Sequence, residues 1–194
     1  LAPIATHFRV FRQHIGTQAL RAVIESYFPA QRSVCRVYGK ECEVPRDEVV
    51  MTDQPQQDYV YSGHRVPNLP FSPEVDALRQ VANRLASELL GRDVRFSFVL
   101  INGYRRNGRD GVAWHRDDEK SINQEFPIVS MSLGDPRDFD IKADADPNVV
   151  YRTTLRDGDV VVMMPGAQTD YWHQVPRRAG HGERRFNLTF RVYK

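Results

Sequence analysis

Apolar positions along the chain change their period near residue 91. Before that point the spacing is helical. Thr17 to Phe28 sets Leu20, Val23, Ile24 and Phe28 on one stripe, with Thr17 as N-cap and Pro29 as the stop. A second helix is better marked. Ser72 caps it, Pro73 sits in its first turn, Val75, Leu78, Val81, Ala82, Leu85 and Leu89 recur at helical spacing, and Gly91 closes it. After Gly91 the period falls to two. Residues 94–101, 127–133, 137–141, 149–155 and 159–164 read as short strands, and RFNLTFRV (185–192) as the last. Residues 107–111 (NGRDG) are turn-rich, and Asp157-Gly158 predicts a hairpin turn between strands 149–155 and 159–164. Helices first and then six or more short strands place the chain in the α+β class, the β part suiting a sandwich or barrel. The helical crossovers that a doubly wound parallel sheet needs are missing from the C-terminal half.

Composition adds boundaries rather than detail. At 194 residues, 41% apolar and 27% charged, the chain reads as one domain able to bury a substantial core. No apolar run approaches the roughly 18 residues of a membrane span. The opening LAPIATHFRVF has neither the cationic region nor the long apolar run of a signal peptide, though it lacks an initiator Met and a targeting segment could have preceded it; an intracellular protein is expected from the cysteines that follow. Cys35 and Cys42 belong to no CxxC or zinc pattern and read as reduced thiols rather than a disulfide. The net charge of +2 draws polyanions only weakly, so distribution matters more. Acids gather at 117–119 and 135–146, and Arg177, Arg178, Arg184, Arg185 and Arg191 crowd the C-terminal end. That pattern allows a basic rim around an acidic centre, or simply a solvated surface.

Candidate chemistry starts from AWHRDDE (113–119). On an extended segment residues i and i+2 point to one side, so His115 and Asp117 can offer a nitrogen and an oxygen to one ion. His173, in DYWHQVP, is the best third ligand. Two histidines and one carboxylate make the facial triad of non-haem Fe(II) oxygenases. The alternatives are a solvated acidic loop at 117–119 and a histidine packed beside Tyr171 and Trp172. In the last strand Phe186, Leu188, Phe190 and Val192 fall on one face, Arg185, Asn187, Thr189 and Arg191 on the other. The polar face meets either solvent or a cavity. In a cavity its charges need a partner, and a dicarboxylate suits the planar fork of arginine.

Together HRDDE, the later histidine and RFNLTFR resemble the AlkB family of Fe(II)- and 2-oxoglutarate-dependent nucleic-acid dealkylases, over about residues 34–194. The resemblance implies a single domain, 1–194. Its double-stranded β-helix (jelly-roll) core would occupy about 93–194, behind N-terminal helices and a nucleotide-recognition lid in about 1–92. It implies iron at His115, Asp117 and His173. Arg191 and Arg185 would pair with the two carboxylates of 2-oxoglutarate, and Asn187 would hydrogen-bond it. Asn102 and Tyr104, in INGY, match an N-x-Y that also contacts this cosubstrate. With O2 as oxidant, the cosubstrate becomes succinate and CO2, and a methyl group on a base nitrogen is hydroxylated and lost as formaldehyde.

Such chemistry needs the base out of its stack, or in a single strand. DYVYSG resembles the family's lid, giving Tyr59, Tyr61 and Ser62 as base contacts. One of the two tyrosines stacks on the flipped base with His115 opposite, stacking being favoured for Tyr61 over a plain surface hairpin, and the sequence does not say which of the two it is. Glu119 matches an acidic residue that could read the exocyclic amino group of adenine or cytosine. VYGK (37–40) resembles the wedge hairpin of the duplex-preferring homologue, with Tyr38 as its tip. In EVPR (43–46), Arg46 is a candidate DNA contact. GAQTDYWHQVP loosely echoes the single-strand and RNA-preferring homologue. The expectation is a monomeric oxidative demethylase of 1-methyladenine and 3-methylcytosine. DNA comes ahead of RNA and duplex ahead of single strand, in the nucleus of a eukaryote or otherwise the cytoplasm. Its rivals are a single-stranded DNA or RNA demethylase, a protein hydroxylase on the same fold, and a binding module without turnover. The complete triad and both arginines argue against the last.

Overall fold

The computed structural model describes residues 2–17, 19–29, 32–37, 40–54, 59–61, 64–66, 68–105, 109–148, 150–177 and 183–194. The chain runs through α1 (Ala2–His7), β1 (Phe8–Phe11), α2 (Leu20–Ser26), β2 (Val34–Val37), β3 (Lys40–Glu43), β4 (Asp47–Thr52), β5 (Tyr59–Tyr61), β6 (His64–Val66) and β7 (Asn68–Leu69). Then follow α3 (Pro73–Leu90), β8 (Phe98–Tyr104), β9 (Val112–His115), β10 (Ile128–Gly134), β11 (Arg137–Ala143), β12 (Tyr151–Leu155), β13 (Val160–Met163), α4 (Ala167–Asp170), β14 (Tyr171–Val175) and β15 (Arg185–Arg191). No described helix is long and apolar enough to cross a membrane.

Two sheets make the core of this α+β fold. The larger has the order β1-β13-β10-β15-β8-β4-β7 and the smaller β12-β11-β14-β9. All their pairings are antiparallel except that of β4 with β7. Strand alternation assigns each face of the larger sheet. Val129, Met131 and Leu133 of β10 and Phe186, Leu188 and Phe190 of β15 pack with α3 and with Ile24 of α2. On the opposite face, Ile128, Val161 and Met163 meet Phe139, Ile141, Leu155, Tyr171 and Val175 of the smaller sheet and its flanks. The jelly-roll expectation holds, and β1, β4 and β7, all from before residue 92, complete the larger sheet.

The helix from Ser72 forms as its sequence requires. The Ser72 hydroxyl accepts from the Val75 N–H, Pro73 fills the first turn, and Gly91 ends the helix at φ 72. Val75, Leu78, Ala82, Leu85 and Ala86 are the buried stripe. Three expectations need correction. The first helix starts at Leu20, not Thr17, and Ala19 caps it without a side-chain bond. The Thr17 hydroxyl instead donates to the Asp157 carboxylate. Residues 94–97 alternate like a strand but bond to α3: the Val94 N–H donates to Ser87 Oγ and the Phe96 N–H to Asn83 Oδ1, both at 2.9 Å. The strand begins at Phe98. Finally, Asp157-Gly158 does not join a hairpin. β12 belongs to the smaller sheet and β13 to the larger, so the turn carries the chain from one sheet to the other.

That crossing is tightly held. The Gly158 N–H donates to Ser132 O and its carbonyl accepts from the N–H of His14 and of Ile15. Its φ is +81°, and a Cβ there would stand 2.7 Å from the Ile15 carbonyl oxygen. Gly158→Ala is therefore expected to lower stability by about 1–3 kcal/mol. A lower urea midpoint at unchanged m-value would show it.

Candidate active site

Neighbouring strands β9 and β14 set His115 directly opposite His173. Their ring centroids are 4.2 Å apart. Asp117 follows just beyond the end of β9. Two glutamines fix its backbone: its N–H donates to Gln168 Oε1 and its carbonyl accepts from Gln124 Nε2, both at 2.8 Å. One ligand atom each from His115, Asp117 and His173 then lies within 4.8 Å of the others. His115 Nε2 is 3.7 Å from Asp117 Oδ1, and His173 Nε2 is 4.0 Å from Oδ2.

The donor set fits a metal. His115 Nδ1 lies 2.8 Å from the Ala113 carbonyl. A carbonyl only accepts, so Nδ1 carries the proton and Nε2 keeps its lone pair on the side of Asp117. Burial, then His115, pushes the pKa of His173 down to about 3. It is thus neutral near pH 7, as a ligating imidazole must be. Burial opposes ionisation of Asp117, yet Arg191 2.9 Å away, with the imidazoles behind it, holds its carboxyl far below the usual range. Two imidazoles and one carboxylate on one side match Fe(II) with open positions.

These shifts fix a pH dependence. An unfolded histidine titrates at about 6.5, so between that value and about 3 the unfolded chain binds one proton more than the folded one at His173. Stability therefore falls as pH drops through this window. Asp117 acts in the same sense, its contribution being complete above its ordinary 3.8 and lost below it. Chelator-treated protein is expected to melt at steadily lower temperature as the buffer is taken from about pH 7 to about 4.5. A level profile would refute neutral burial of His173.

Opposite the triad stands the wall made by β8 and β15, where Arg185 pairs with Tyr104 and Asn187 with Asn102 in register. All seven residues of β15 are buried. Its polar face therefore meets a cavity and not solvent. Asn102, Tyr104, Asn187, Thr189 and Arg191, with His115, Asp117, Glu119 and His173, line a space of about 90 Å³. Tyr104 is at once core and wall. Arg191 donates to Asp117 through Nη2, while its Nε and Nη1 have no hydrogen-bond partner. Its pKa is raised although burial opposes this, because Asp117, Tyr59 and Glu119 are near. Arg185 is not part of the cavity lining. Its guanidinium sits 5.2 Å from the Tyr104 ring centroid, and its Nη2 donates to Ser132 Oγ at 3.0 Å. Its Nε and Nη1 are also partnerless, and burial pushes its pKa down. Two buried guanidiniums with unused N–H groups fit a dianion carrying two carboxylates.

The base contacts expected from the sequence are only partly brought together. Tyr59 is buried, its hydroxyl donating to Glu119 Oε1 at 2.6 Å and its ring centroid 5.6 Å from that of Phe98. Burial raises its pKa well above 10.0. Tyr59 is thus part of the cavity wall, with its hydroxyl held by Glu119. Glu119 keeps a second oxygen, Oε2, without a hydrogen-bond partner. The side chain of Tyr61, and Ser62 and Tyr38 altogether, lie outside the described residues. β2 and β3 pair antiparallel from Val34 and Glu43 to Val37 and Lys40. The basic rim is smaller than the sequence suggests. Arg185 and Arg191 are buried and Arg184 pairs with Glu25 and Asp47, while Arg177 is exposed and Arg178 lies outside the described residues.

Arg46 is not an outward contact. Its Nη2 lies 2.7 Å from Glu48 Oε1, its Nε donates to Asn102 Oδ1 at 2.9 Å, and it lines the cavity. Sequence reasoning also passed over Gln124, Gln168, Glu48 and His64. No local spacing marks them, because each meets its partner across a different strand or loop.

The 2OG-Fe(II) oxygenase superfamily matches residues 7–191. The chain is 30% identical over 191 residues to the DNA oxidative demethylase ALKBH2 of Arabidopsis thaliana, covering 87% of this chain and 60% of the relative. It is 33% identical over 172 residues to ALKBH2 of Mus musculus, covering 85% and 69%. To the alpha-ketoglutarate-dependent dioxygenase alkB homolog 3 of Homo sapiens it is 34% identical over 143 residues, covering 69% and 48%. The chain thus spans about half to two thirds of the length of these relatives. The solved structure of OsALKBH1 superposes with a TM-score of 0.63 over 95% of this chain and 97% of that one, at 18% identity, a likeness of fold.

Proposed function

The chain belongs to the AlkB branch of the 2OG-Fe(II) oxygenase superfamily, and from that premise we propose that it oxidatively demethylates nucleic-acid bases, 1-methyladenine and 3-methylcytosine in DNA first among them. One observation carries the reading. The metal-ligating triad, Arg191 and Glu119 with its spare oxygen converge on a single cavity, with Arg185 behind Tyr104 in its wall.

His115, Asp117 and His173 would hold Fe(II). Arg185 and Arg191 would take the carboxylates of 2-oxoglutarate, with Asn102, Tyr104 and Asn187 hydrogen-bonding it. When bound, these groups and O2 supply the oxidant that hydroxylates a carbon on a base nitrogen, the cosubstrate leaving as succinate and CO2. The chain contributes binding and orientation. Tyr59 fixes Glu119 Oε1 and so aims Oε2 at an exocyclic amino group. That choice suits adenine and cytosine, and a carboxylate also favours the cationic charge that these methylated bases carry. Once hydroxylated, the N–CH2OH group loses its hydroxyl proton, its C–N bond returns an electron pair to nitrogen, and formaldehyde departs.

Duplex DNA is the preferred polymer because VYGK (37–40) resembles the wedge of the duplex-preferring homologue, which fills the gap left by a flipped base. Such a substrate would place the protein where DNA is, the nucleus in a eukaryote and the cytoplasm otherwise. The test is mass spectrometry of matched single- and double-stranded oligonucleotides carrying one 1-methyladenine, after incubation with protein, Fe(II) and 2-oxoglutarate. Faster methyl loss is expected from the duplex. Tyr38→Ala is expected to slow the duplex reaction by about tenfold and the single-strand reaction by less than about twofold. Faster loss from the single strand, or equal damage to both, would replace the wedge reading with a single-strand or RNA demethylase. Succinate without loss of methyl from either would overturn the substrate.

A further inference from the structure

A row of buried polar groups joins the lid hairpin to the cosubstrate wall. Across β10, β15, β8 and β4 the register aligns Ser132, Asn187, Asn102 and Glu48. Glu48 ends the row with a side chain 0% exposed. Its two oxygens face two different segments. Oε1 lies 2.7 Å from Arg46 Nη2, and Oε2 lies 3.1 Å from His64 Nε2. Arg46 continues inward, its Nε donating to Asn102 Oδ1 at 2.9 Å. His64 lies on β6, the strand that pairs with β5 and its Tyr59.

A two-stranded hairpin with three residues in each strand does not hold itself in place. This one has an apolar anchor, Tyr59 and Val66 packing with Val50, Phe98, Leu100, Ile122 and Tyr193. Among the described residues it also has a buried polar contact, His64 Nε2 lying 3.1 Å from Glu48 Oε2. Where the hairpin sits decides where Tyr59 holds Glu119. A buried carboxylate shared between two segments works as a joint, because moving either partner leaves charge desolvated.

We propose that Glu48 is a positioning residue with two separable outputs. Through His64 it seats the β5–β6 hairpin over the cavity. Through Arg46 it aims Asn102 at the cosubstrate. The second output rests on the assignment of Asn102 to 2-oxoglutarate made above.

Two variants separate these outputs, read by hydrogen exchange and by 2-oxoglutarate binding to Mn(II)-loaded protein. His64→Ala removes the hairpin's contact with Glu48 and leaves Arg46 on Glu48 Oε1. Amides of residues 59–61 and 64–66 are expected to exchange about tenfold faster. The Kd for 2-oxoglutarate is expected to stay within about twofold. Glu48→Gln keeps the side-chain volume and the fold. It is expected to speed hairpin exchange similarly and to raise the 2-oxoglutarate Kd about five- to tenfold. Unchanged hairpin exchange in His64→Ala, or an unchanged Kd in Glu48→Gln, overturns the proposal. So does equal weakening of 2-oxoglutarate in both variants, which would make the joint merely structural. Neither readout needs turnover, so a wild-type protein inactive on methylated oligonucleotides would overturn base demethylation alone. Failure of wild-type protein to bind 2-oxoglutarate would instead refute the assignment of Asn102.

Discussion

Asp117→Ala is expected to abolish succinate and formaldehyde release, by roughly a thousandfold or more, as removal of one member of a cooperating set does. The carboxylate is the anionic member of the triad and lies within 4.0 Å of both imidazole Nε2 atoms. Without it the remaining two nitrogens hold a divalent ion poorly, so metal content should fall with activity. The backbone stays in place, because Gln168 and Gln124 bond main-chain atoms of Asp117 and not its side chain. Far-UV circular dichroism should therefore match wild type. Stability should not, since Arg191 loses its 2.9 Å partner while remaining buried. Breaking a buried pair in this way costs about 3–5 kcal/mol. Full turnover with metal retained would refute the triad.

Arg185→Leu is expected to weaken 2-oxoglutarate binding by about a hundredfold, the usual scale for removing one partner of a buried charge pair. It should leave the melting temperature of the ligand-free protein unchanged or raise it. The two signs differ for one reason. Without cosubstrate Arg185 is a desolvated cation beside Tyr104, its Nη2 bonded to Ser132 and its Nε and Nη1 without a hydrogen-bond partner. An apolar residue of similar reach relieves that penalty. Arg185→Lys should bind 2-oxoglutarate poorly as well, because an ammonium cannot reproduce the fork. A variant that binds normally would remove Arg185 from the cosubstrate site. A marked loss of stability would mean that its N–H groups already have partners.

How legible the sequence was depended on how local each signal is. The helix from Ser72 could be read because cap, stripe and stop lie within one segment. The alternation of RFNLTFR was equally plain, but alternation alone could not say whether its polar face met water. Only the smaller sheet packed opposite answers that. Thr17 was misread because a hydroxyl that can cap a helix can also bond a carboxylate 140 positions away. Asp157-Gly158 was misread because the jelly roll sends consecutive strands to different sheets, where the same dipeptide would otherwise close a hairpin. His115 and Asp117 follow from spacing, while His173 could be named only as the best candidate among the other histidines, as its place opposite His115 is a matter of register. Arg46, Glu48 and His64 carry no periodic signature, and their meeting depends on how β4, β6 and β8 are stacked.

The place of β1 bears on how the chain survives outside its own fold. Phe8 to Phe11 lie along β13 as the outermost strand of the larger sheet, opposite Val160, Val161, Val162 and Met163. That run is apolar and rich in β-branched residues, with no charge to discourage pairing. A chain shortened to begin at residue 12 would uncover its row of N–H and C=O groups, a template for a second copy. Loss of Phe8 to Phe11 should thus appear less as lost catalysis than as concentration-dependent self-association, with β1 serving as a solubility device.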